Sequence, residues 1–197
     1  MASANKQAKQ DLLNKLYEPH RQSPCNSPLY ISGCTNIVFG EGNADANLLF
    51  IGEAPGKNED EQGRPFVGRS GKLLTQILNE LGLKREDVFI TNIVKCRPPN
   101  NRTPSPKEQR VGKETMLLEQ IRIIDPTIIC TLGSPALNGL LETSYPIGQA
   151  RGKPIEFQNK TILPAYHPAY ILRNPSARHL LREDISKAID LSQKIQS

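Results

Sequence analysis

Side chains capable of chemistry concentrate in a few segments rich in glycine and proline. The first segment, residues 52–71 (GEAPGKNEDEQGRPFVGRSG), carries Glu53 and Glu59, and carboxylates of this kind can orient water or stabilise developing positive charge. Asn92 ends an apolar run, where a buried amide needs hydrogen-bond partners. His167 lies in YHPAYILRNP, and an imidazole can donate a hydrogen bond to negative charge that develops during a reaction. These segments are candidates for one active site.

The elements that position these segments follow from the hydrophobic pattern. Four short apolar runs rich in β-branched residues indicate buried parallel strands, at residues 47–52, 88–93, 127–132 and 161–165. Apolar residues at helical spacing predict helices between and after them, within residues 73–81, 106–124, 135–141 and 180–195. We predict an α/β fold, a three-layer α/β/α sandwich with a central, mainly parallel four-stranded sheet. Residues 1–197 are expected to form a single domain, with residues 1–36 as an N-terminal arm.

The predicted topology explains where the unusual residues lie. In open parallel sheets, ligands bind at the carboxyl ends of the strands. The segments that follow the predicted strands are the ones rich in Gly, Pro, Asn, His and Arg, whereas the segments that lead into the strands are plainer. The candidate residues are therefore expected to converge on one edge of the sheet.

Composition favours a polyanionic partner and an intracellular location. The net charge is +5, and basic residues cluster near the glycine- and proline-rich segments, although a solvated basic surface would give the same pattern. No apolar run approaches the ~20 residues needed to span a bilayer, and the polar N-terminus does not resemble a secretory signal. Four cysteines in 197 residues do not indicate a disulfide framework and fit a reducing compartment better.

An ordered set of motifs resembles the family 4 uracil-DNA glycosylases. The motifs are GEAPG followed by ED, GRPFVGRSG, TNIVKCRPP with NRTP, and HPAYILRNP, and the similarity runs in register from about Phe39 to about Pro175. The resemblance implies the glycosylase fold and an enzyme that flips uracil out of DNA and hydrolyses its bond to deoxyribose.

The resemblance also assigns roles to individual residues. Phe66 would stack on uracil, although a phenylalanine beside a valine is by default interpreted as a core residue. Asn92 would pair with uracil N3–H and O4, a pattern that cytosine reverses. His167 would stabilise the negative charge that collects on the departing base. Glu53 and Glu59 are candidates for stabilising the oxocarbenium-like sugar and for orienting the attacking water, and their roles are not ranked.

Two further groups of residues complete the implied site. Small residues at Gly52 and Ala54 would let the backbone approach the substrate closely. Phosphate contacts and an apolar wedge that fills the vacated base stack are expected from the basic loops and from the segment after His167. The predicted DNA-binding residues are Lys95, Arg97, Arg102, Ile171, Leu172 and Arg173, with either Ile171 or Leu172 as the wedge.

The sequence departs from the family at the iron–sulfur cluster. Family 4 enzymes typically hold a four-iron cluster on four cysteines, and only Cys25 and Cys96 match ligand positions here. The other two positions fall on Pro28 and Gly112, which cannot bind iron. We therefore predict that an intact cluster is absent and that the chemistry requires no cofactor or metal. Cys130, in the apolar run IICTL, is interpreted as a core thiol.

The sequence therefore predicts a monofunctional uracil-DNA glycosylase of base excision repair, acting on uracil in single- or double-stranded DNA as a monomer. No histidine lies between Lys95 and Thr115, which favours turnover over the covalent self-trapping of one relative of this family. One alternative is a catalytically inactive DNA-binding adaptor of the same fold that contacts replication or repair proteins. Another is a phosphate-site enzyme that uses the glycine-rich segment, although that segment matches neither GxxxxGK[ST] nor GxGxxG.

Overall fold

The computed structural model describes residues 2–22 and 27–194 and has strands and helices that alternate along the chain. The strands are β1 (Glu41–Gly42), β2 (Leu48–Gly52), β3 (Phe89–Asn92), β4 (Ile128–Leu132), β5 (Ile155–Phe157) and β6 (Lys160–Ala165). The helices are α1 (Ala2–Gln22), α2 (Lys57–Gln62), α3 (Arg69–Glu80), α4 (Pro106–Gly112), α5 (Leu118–Ile124), α6 (Ser134–Leu141), α7 (Ile147–Ala150), α8 (Pro168–Arg173) and α9 (Arg178–Lys194).

The strands form one sheet in the order β1-β3-β2-β4-β6-β5. The four inner strands are parallel and correspond to the four predicted strands, so the predicted α/β fold with a mainly parallel sheet is confirmed. The sheet is wider than predicted because β1 and β5 pair antiparallel at its two edges. With two and three residues, these edge strands are too short to give a recognisable period-two pattern.

Two hydrophobic cores lie on opposite faces of the sheet because side chains alternate along each strand. In β2, Leu49 and Ile51 pack into the core under α1, α5 and α6. Leu48 and Phe50 point the other way, into the core under α3 and α9. All four side chains are buried, which explains why this strand reads as a continuous apolar run and not as an alternating one. The molecule is thus a three-layer sandwich.

The predicted N-terminal arm contains a helix that packs on the first core. Leu13 of α1 is fully buried, and the Tyr17 hydroxyl donates a hydrogen bond of 2.8 Å to the carbonyl of Ile37. Lys9 Nζ lies 2.6 Å from Asp45 Oδ1 and 2.8 Å from the carbonyl of Ile124. Among the helices of the described residues, none is long and apolar enough to cross a membrane.

The predicted helix over 106–124 contains an irregular turn. It begins at Pro106 after a capping box in which Ser105 and Glu108 each accept a hydrogen bond from the other's backbone N–H, and between α4 and α5 it widens into a π-helical turn (Lys113–Leu117). Gly112 precedes this turn, and a β-carbon added there would lie 2.4 Å from the carbonyl oxygen of Ile93. The helix therefore packs directly on the backbone that follows β3.

Candidate active site

The carboxyl ends of β2 and β3 bring an amide and an aromatic ring together. Gly52 and Asn92 are neighbours in the parallel register. A β-carbon added at Gly52 would lie 2.4 Å from Asn92 Oδ1 and 2.5 Å from Phe66 Cζ, so the glycine leaves the space that both side chains border. Asn92 is 2% exposed, and in the part of the chain that the structure describes its side-chain amide has no hydrogen-bond partner. A buried amide without a partner is suited to binding a polar ligand.

Phe66 adopts an unusual backbone conformation to reach this place. Its φ is +50°, in the left-handed region that non-glycine residues rarely adopt, and its side chain is only 5% exposed. The first turn of α3 passes directly beneath it, because a β-carbon at Gly71 would lie 1.9 Å from the Phe66 carbonyl oxygen. Backbone strain of this kind persists only where the surrounding structure enforces it, and it is frequent at ligand sites.

His167 completes the cluster from the end of β6. Its ring centroid lies 5.8 Å from that of Phe66. Its Nδ1 accepts a hydrogen bond of 3.0 Å from the backbone N–H of Ala169, and this leaves the proton of a neutral ring on Nε2. Burial, assisted by the positive charge of Arg173, lowers the pKa of His167 to about 4. At neutral pH the residue is therefore an uncharged hydrogen-bond donor.

The two glutamates have different surroundings. Glu59 Oε1 accepts hydrogen bonds from the backbone N–H groups of Val67 (2.9 Å) and Gly68 (2.7 Å), so this oxygen holds the loop that carries Phe66. Glu53 Oε1 is buried and has no hydrogen-bond partner among the described residues, and burial raises the pKa of its carboxyl. Both glutamates line the same cavity, but Glu53 has a poorly solvated carboxyl, whereas one oxygen of Glu59 is engaged by the loop backbone.

These side chains line one cavity of about 560 Å³ at the carboxyl edge of the sheet. The predicted residues on its wall are Glu53, Ala54, Glu59, Phe66, Asn92, Arg102, His167 and Arg173. The volume suits a ligand of the size of a nucleotide or a drug. The wall offers a ring face, an unpaired amide, a neutral imidazole and a carboxylate, which together can bind a planar polar ring and stabilise charge beside it.

Comparison with known proteins identifies the family of this chain. The sequence model described as "Uracil DNA glycosylase superfamily" matches residues 39–190. The type-4 uracil-DNA glycosylase of Thermotoga maritima is 49% identical over 171 residues, which cover 85% of this chain and 88% of that protein. The type-4 enzyme of Saccharolobus solfataricus is 50% identical over 161 residues, 77% of this chain and 74% of that protein. The chain belongs to the uracil DNA glycosylase superfamily.

Within the superfamily the chain is a type-4 member. The type-5 uracil-DNA glycosylase of Thermus thermophilus is 29% identical over 166 residues, which cover 74% of each chain. This identity is far below that of the two type-4 relatives. The resemblance to family 4 that the motifs indicated is thus confirmed.

The positions of the family's iron–sulfur ligands do not fit a four-thiolate cluster in this type-4 chain. Cys25 lies outside the described residues. Pro28 and Gly112 both line a second cavity, of about 380 Å³, and position 112 has no room even for a β-carbon. Among the described residues no three His, Cys, Asp or Glu side chains are grouped as metal ligands. The absence of the cluster stays a prediction.

Cys96 has a different partner, which the sequence did not indicate. Its sulfur forms a disulfide with Cys34, with the two Cα atoms 5.8 Å apart and both side chains buried. The expectation that the cysteines form no disulfide framework and fit a reducing compartment did not anticipate this pair. The residues are 62 positions apart, and no local pattern could have shown that they meet. The disulfide ties the segment before β1 to the loop after β3.

Lys95 does not lie on the DNA-binding surface, which corrects the prediction made for it. Its side chain is fully buried. Its ammonium group donates hydrogen bonds to Thr91 Oγ1 (2.6 Å), the carbonyl of Asn92 (2.7 Å) and Gln120 Oε1 (2.6 Å). Burial lowers the pKa of Lys95, although three acceptors match the three N–H donors of the charged form. Lys95 stabilises the end of β3 from inside the protein and cannot reach a phosphate.

The remaining predicted DNA contacts differ in their exposure to solvent. Arg173 and Leu172 are exposed on α8, with Leu172 37% exposed. Arg102 is also exposed and forms a salt bridge with Glu108. Ile171 is 2% exposed and belongs to the second core, so it cannot be the wedge. Arg97 is half-buried.

Tyr170 is a wall residue that the sequence analysis missed. It lines the cavity, is 37% exposed, and stacks on Tyr166 with ring centroids 4.8 Å apart. It lies in the first turn of α8, three residues after His167, and this proximity to a predicted site residue is the signal that could have indicated it.

Proposed function

We propose that this chain is a monofunctional uracil-DNA glycosylase of base excision repair, a hydrolase that removes uracil from DNA and leaves an abasic site. The observation that carries the proposal is the convergence of the Asn92 amide, the Phe66 ring and the neutral His167 imidazole at one edge of the sheet. Its relatives at 49% and 50% identity are type-4 uracil-DNA glycosylases. We infer an intracellular location from this role in DNA repair.

Recognition of uracil requires that the base leave the helix and enter the cavity. Phe66 offers a ring face on which a flipped base stacks. The Asn92 amide accepts a hydrogen bond from uracil N3–H and donates one to O4. Cytosine presents an acceptor at N3 and donors at its exocyclic amine, so one amide orientation cannot pair with both bases.

Departure of the base places negative charge on uracil. The bond between C1′ and N1 breaks with its electron pair on the base, and a hydrogen bond from His167 Nε2–H to O2 stabilises the anion. Because the pKa of His167 is held near 4, the ring acts as a neutral donor and keeps its proton. The hydrogen bond from Ala169 N–H to Nδ1 fixes the orientation and tautomer that this role requires.

The sugar becomes positively charged in the same step, and the Glu53 carboxylate can stabilise this charge. A poorly solvated carboxylate gains most when a cation forms beside it, and Glu53 Oε1 has no partner in the described structure. We assign to Glu53 the stabilisation of the oxocarbenium-like sugar and the orientation of the water that adds to C1′. The water releases one proton on addition, and this proton balances the negative charge of the departing uracil. Glu59 supports Phe66 through the backbone of its loop.

The DNA strand is held by the exposed residues around the cavity. Arg102 and Arg173 line the mouth and can neutralise phosphates, while Leu172 is the exposed apolar side chain that can fill the vacated stack. The described residues that line the cavity include no lysine. Without an amine nucleophile the strand is not cut by β-elimination, and turnover leaves an intact strand with an abasic site.

Excision from a labelled oligonucleotide with one uracil tests the proposal. Wild-type protein should turn over repeatedly, and breaks should appear only after hot alkali. Asn92→Ala should lose excision while it keeps its fold and its affinity for undamaged DNA. Glu53→Gln should lower the single-turnover rate more than Glu59→Gln lowers it. Binding without excision by the wild-type protein would instead support an inactive DNA-binding adaptor.

A further inference from the structure

Arg85 occupies a place behind the Phe66 loop that the mechanism above does not use. It opens a short 3₁₀ turn (Arg85–Asp87) just before β3. It is separated from Phe66 by 19 positions in the sequence, and its side chain is only 18% exposed. A guanidinium this far from solvent needs several acceptors.

The acceptors include the backbone of the aromatic residue itself. Arg85 Nη2 donates to the carbonyl of Pro65 (2.7 Å), and Nη1 donates to the carbonyl of Phe66 (3.0 Å). Nη1 also lies 3.2 Å from Thr75 Oγ1. Two successive carbonyls thus accept hydrogen bonds from one planar guanidinium group. These two hydrogen bonds fix the peptide planes on both sides of the Phe66 α-carbon. These peptide planes define the left-handed conformation of Phe66.

Glu59 binds the backbone N–H groups of the same loop, whereas Arg85 binds its carbonyls. Its carboxylate accepts hydrogen bonds from the next two N–H groups, those of Val67 and Gly68. A cation therefore holds two carbonyls and an anion holds two N–H groups in four consecutive residues. Charge-assisted hydrogen bonds are stronger than neutral ones, and the set can offset the cost of the left-handed conformation at Phe66.

Glu41 keeps the guanidinium in place. Its Oε1 lies 2.6 Å from Arg85 Nη2, and it also pairs with Arg64 at 2.7 Å. Burial alone would raise the pKa of Glu41, but hydrogen bonds from Arg64 and Arg85 outweigh burial and lower it. The carboxylate is therefore ionised at neutral pH and balances the charge of Arg85.

We propose that Arg85 is a positioning residue for uracil excision, which holds the ring of Phe66 in its stacking position through the carbonyls of Pro65 and Phe66. The proposal rests on the proposed function, because it assigns the ring to a flipped base. It differs from a general structural role in one respect: the effect of Arg85 on excision passes through Phe66.

The test uses two substitutions of Arg85 and one of its neighbour. Arg85→Met removes the fork, and Arg85→Lys keeps the charge beside Glu41 but cannot hold both carbonyls in a fixed geometry. Arg64→Met is the matched control, because Arg64 shares Glu41 but is 58% exposed. We expect kcat/KM to fall roughly ten- to a hundredfold for Arg85→Met, with partial rescue in Arg85→Lys. Arg64→Met should stay within about twofold of wild type.

A double-mutant cycle separates positioning from folding. In a Phe66→Ala background, Arg85→Lys should have no further effect on the single-turnover rate, whereas in a Leu172→Ala background, which keeps the Phe66 ring and retains excision, its effect should persist. Inhibition by free uracil should weaken in Arg85→Lys. Two results with an active wild type would overturn the inference. One is an equal loss of excision activity in Arg85→Lys and Arg64→Met, and the other is an effect of Arg85→Lys that persists in Phe66→Ala. An inactive wild type would instead contradict the proposed function.

Discussion

Substitution of Gly52 by alanine tests whether the base enters the space between Asn92 and Phe66. The backbone of Gly52 is not in the left-handed region, so alanine is compatible with its conformation. The added methyl group would lie 2.4 Å from Asn92 Oδ1 and 2.5 Å from Phe66 Cζ, where ordinary contacts begin at 3.4 Å. One or both side chains must therefore move by about 1 Å, on the scale at which misplaced groups lower rates.

The expected loss of activity is large and the expected loss of stability is modest. A displacement of this size lowers the rate by about a hundredfold, equivalent to about 2.7 kcal/mol in the barrier. Overpacking costs about 1–3 kcal/mol of unfolding free energy, part of which the replacement of a glycine offsets. Gly52→Ala should therefore be folded by circular dichroism and should bind undamaged DNA with wild-type affinity.

Single-turnover excision at saturating enzyme measures the effect on the chemical step. The matched control is Gly148→Ala, because a β-carbon at this exposed position would meet only Tyr166 Oη at 3.8 Å. The control should excise uracil at the wild-type rate. A folded Gly52→Ala protein with wild-type kcat/KM would refute the reasoning, because a base could not then be using this space.

Three further predictions follow from the electrostatics, the disulfide and the packing. Because the pKa of His167 is about 4, kcat/KM should show no loss from its protonation between pH 8 and about 5; an inflection near the ordinary histidine value of about 6.5 that persists in His179→Gln would contradict this prediction. Cys34→Ser should lower the unfolding free energy of the oxidised protein by about 4 kcal/mol in urea titrations, and the difference should vanish in dithiothreitol. Leu172→Ala should slow excision from duplex more than from single strands, whereas Ile171→Ala should mainly lower the melting temperature; equal substrate effects would assign the wedge elsewhere.

The sequence predicted the layout of the site because few topologies fit its pattern. Residues that follow parallel strands must meet at one edge, so Asn92 and His167 could be placed together before any coordinates were known. Side-chain direction was harder to predict. Lys95 and Ile171 lie in segments of the right type, but each points into the protein, and burial of a long basic side chain depends on acceptors such as Gln120, which is distant in the sequence.

Contacts between distant segments account for what the sequence analysis missed. The Cys34–Cys96 disulfide joins residues 62 positions apart, and Arg85, which follows α3 in the sequence, contacts the Phe66 loop that precedes α3. Neither pair produces a periodic signal. The left-handed conformation of Phe66 also has no local signature, because phenylalanine does not favour it and the surrounding contacts impose it.

The order of the inner strands also determines when the site is complete during synthesis. Glu53, Phe66 and Asn92 come from the first half of the chain, but His167 follows β6, which pairs with β4 near the end of the sequence. Proteins are made from the N-terminus, and early segments can collapse before later ones emerge. A nascent chain that ends before β6 can thus hold the stacking ring and the reading amide but lacks the donor to O2. Activity therefore emerges only after the last inner strand has joined the sheet.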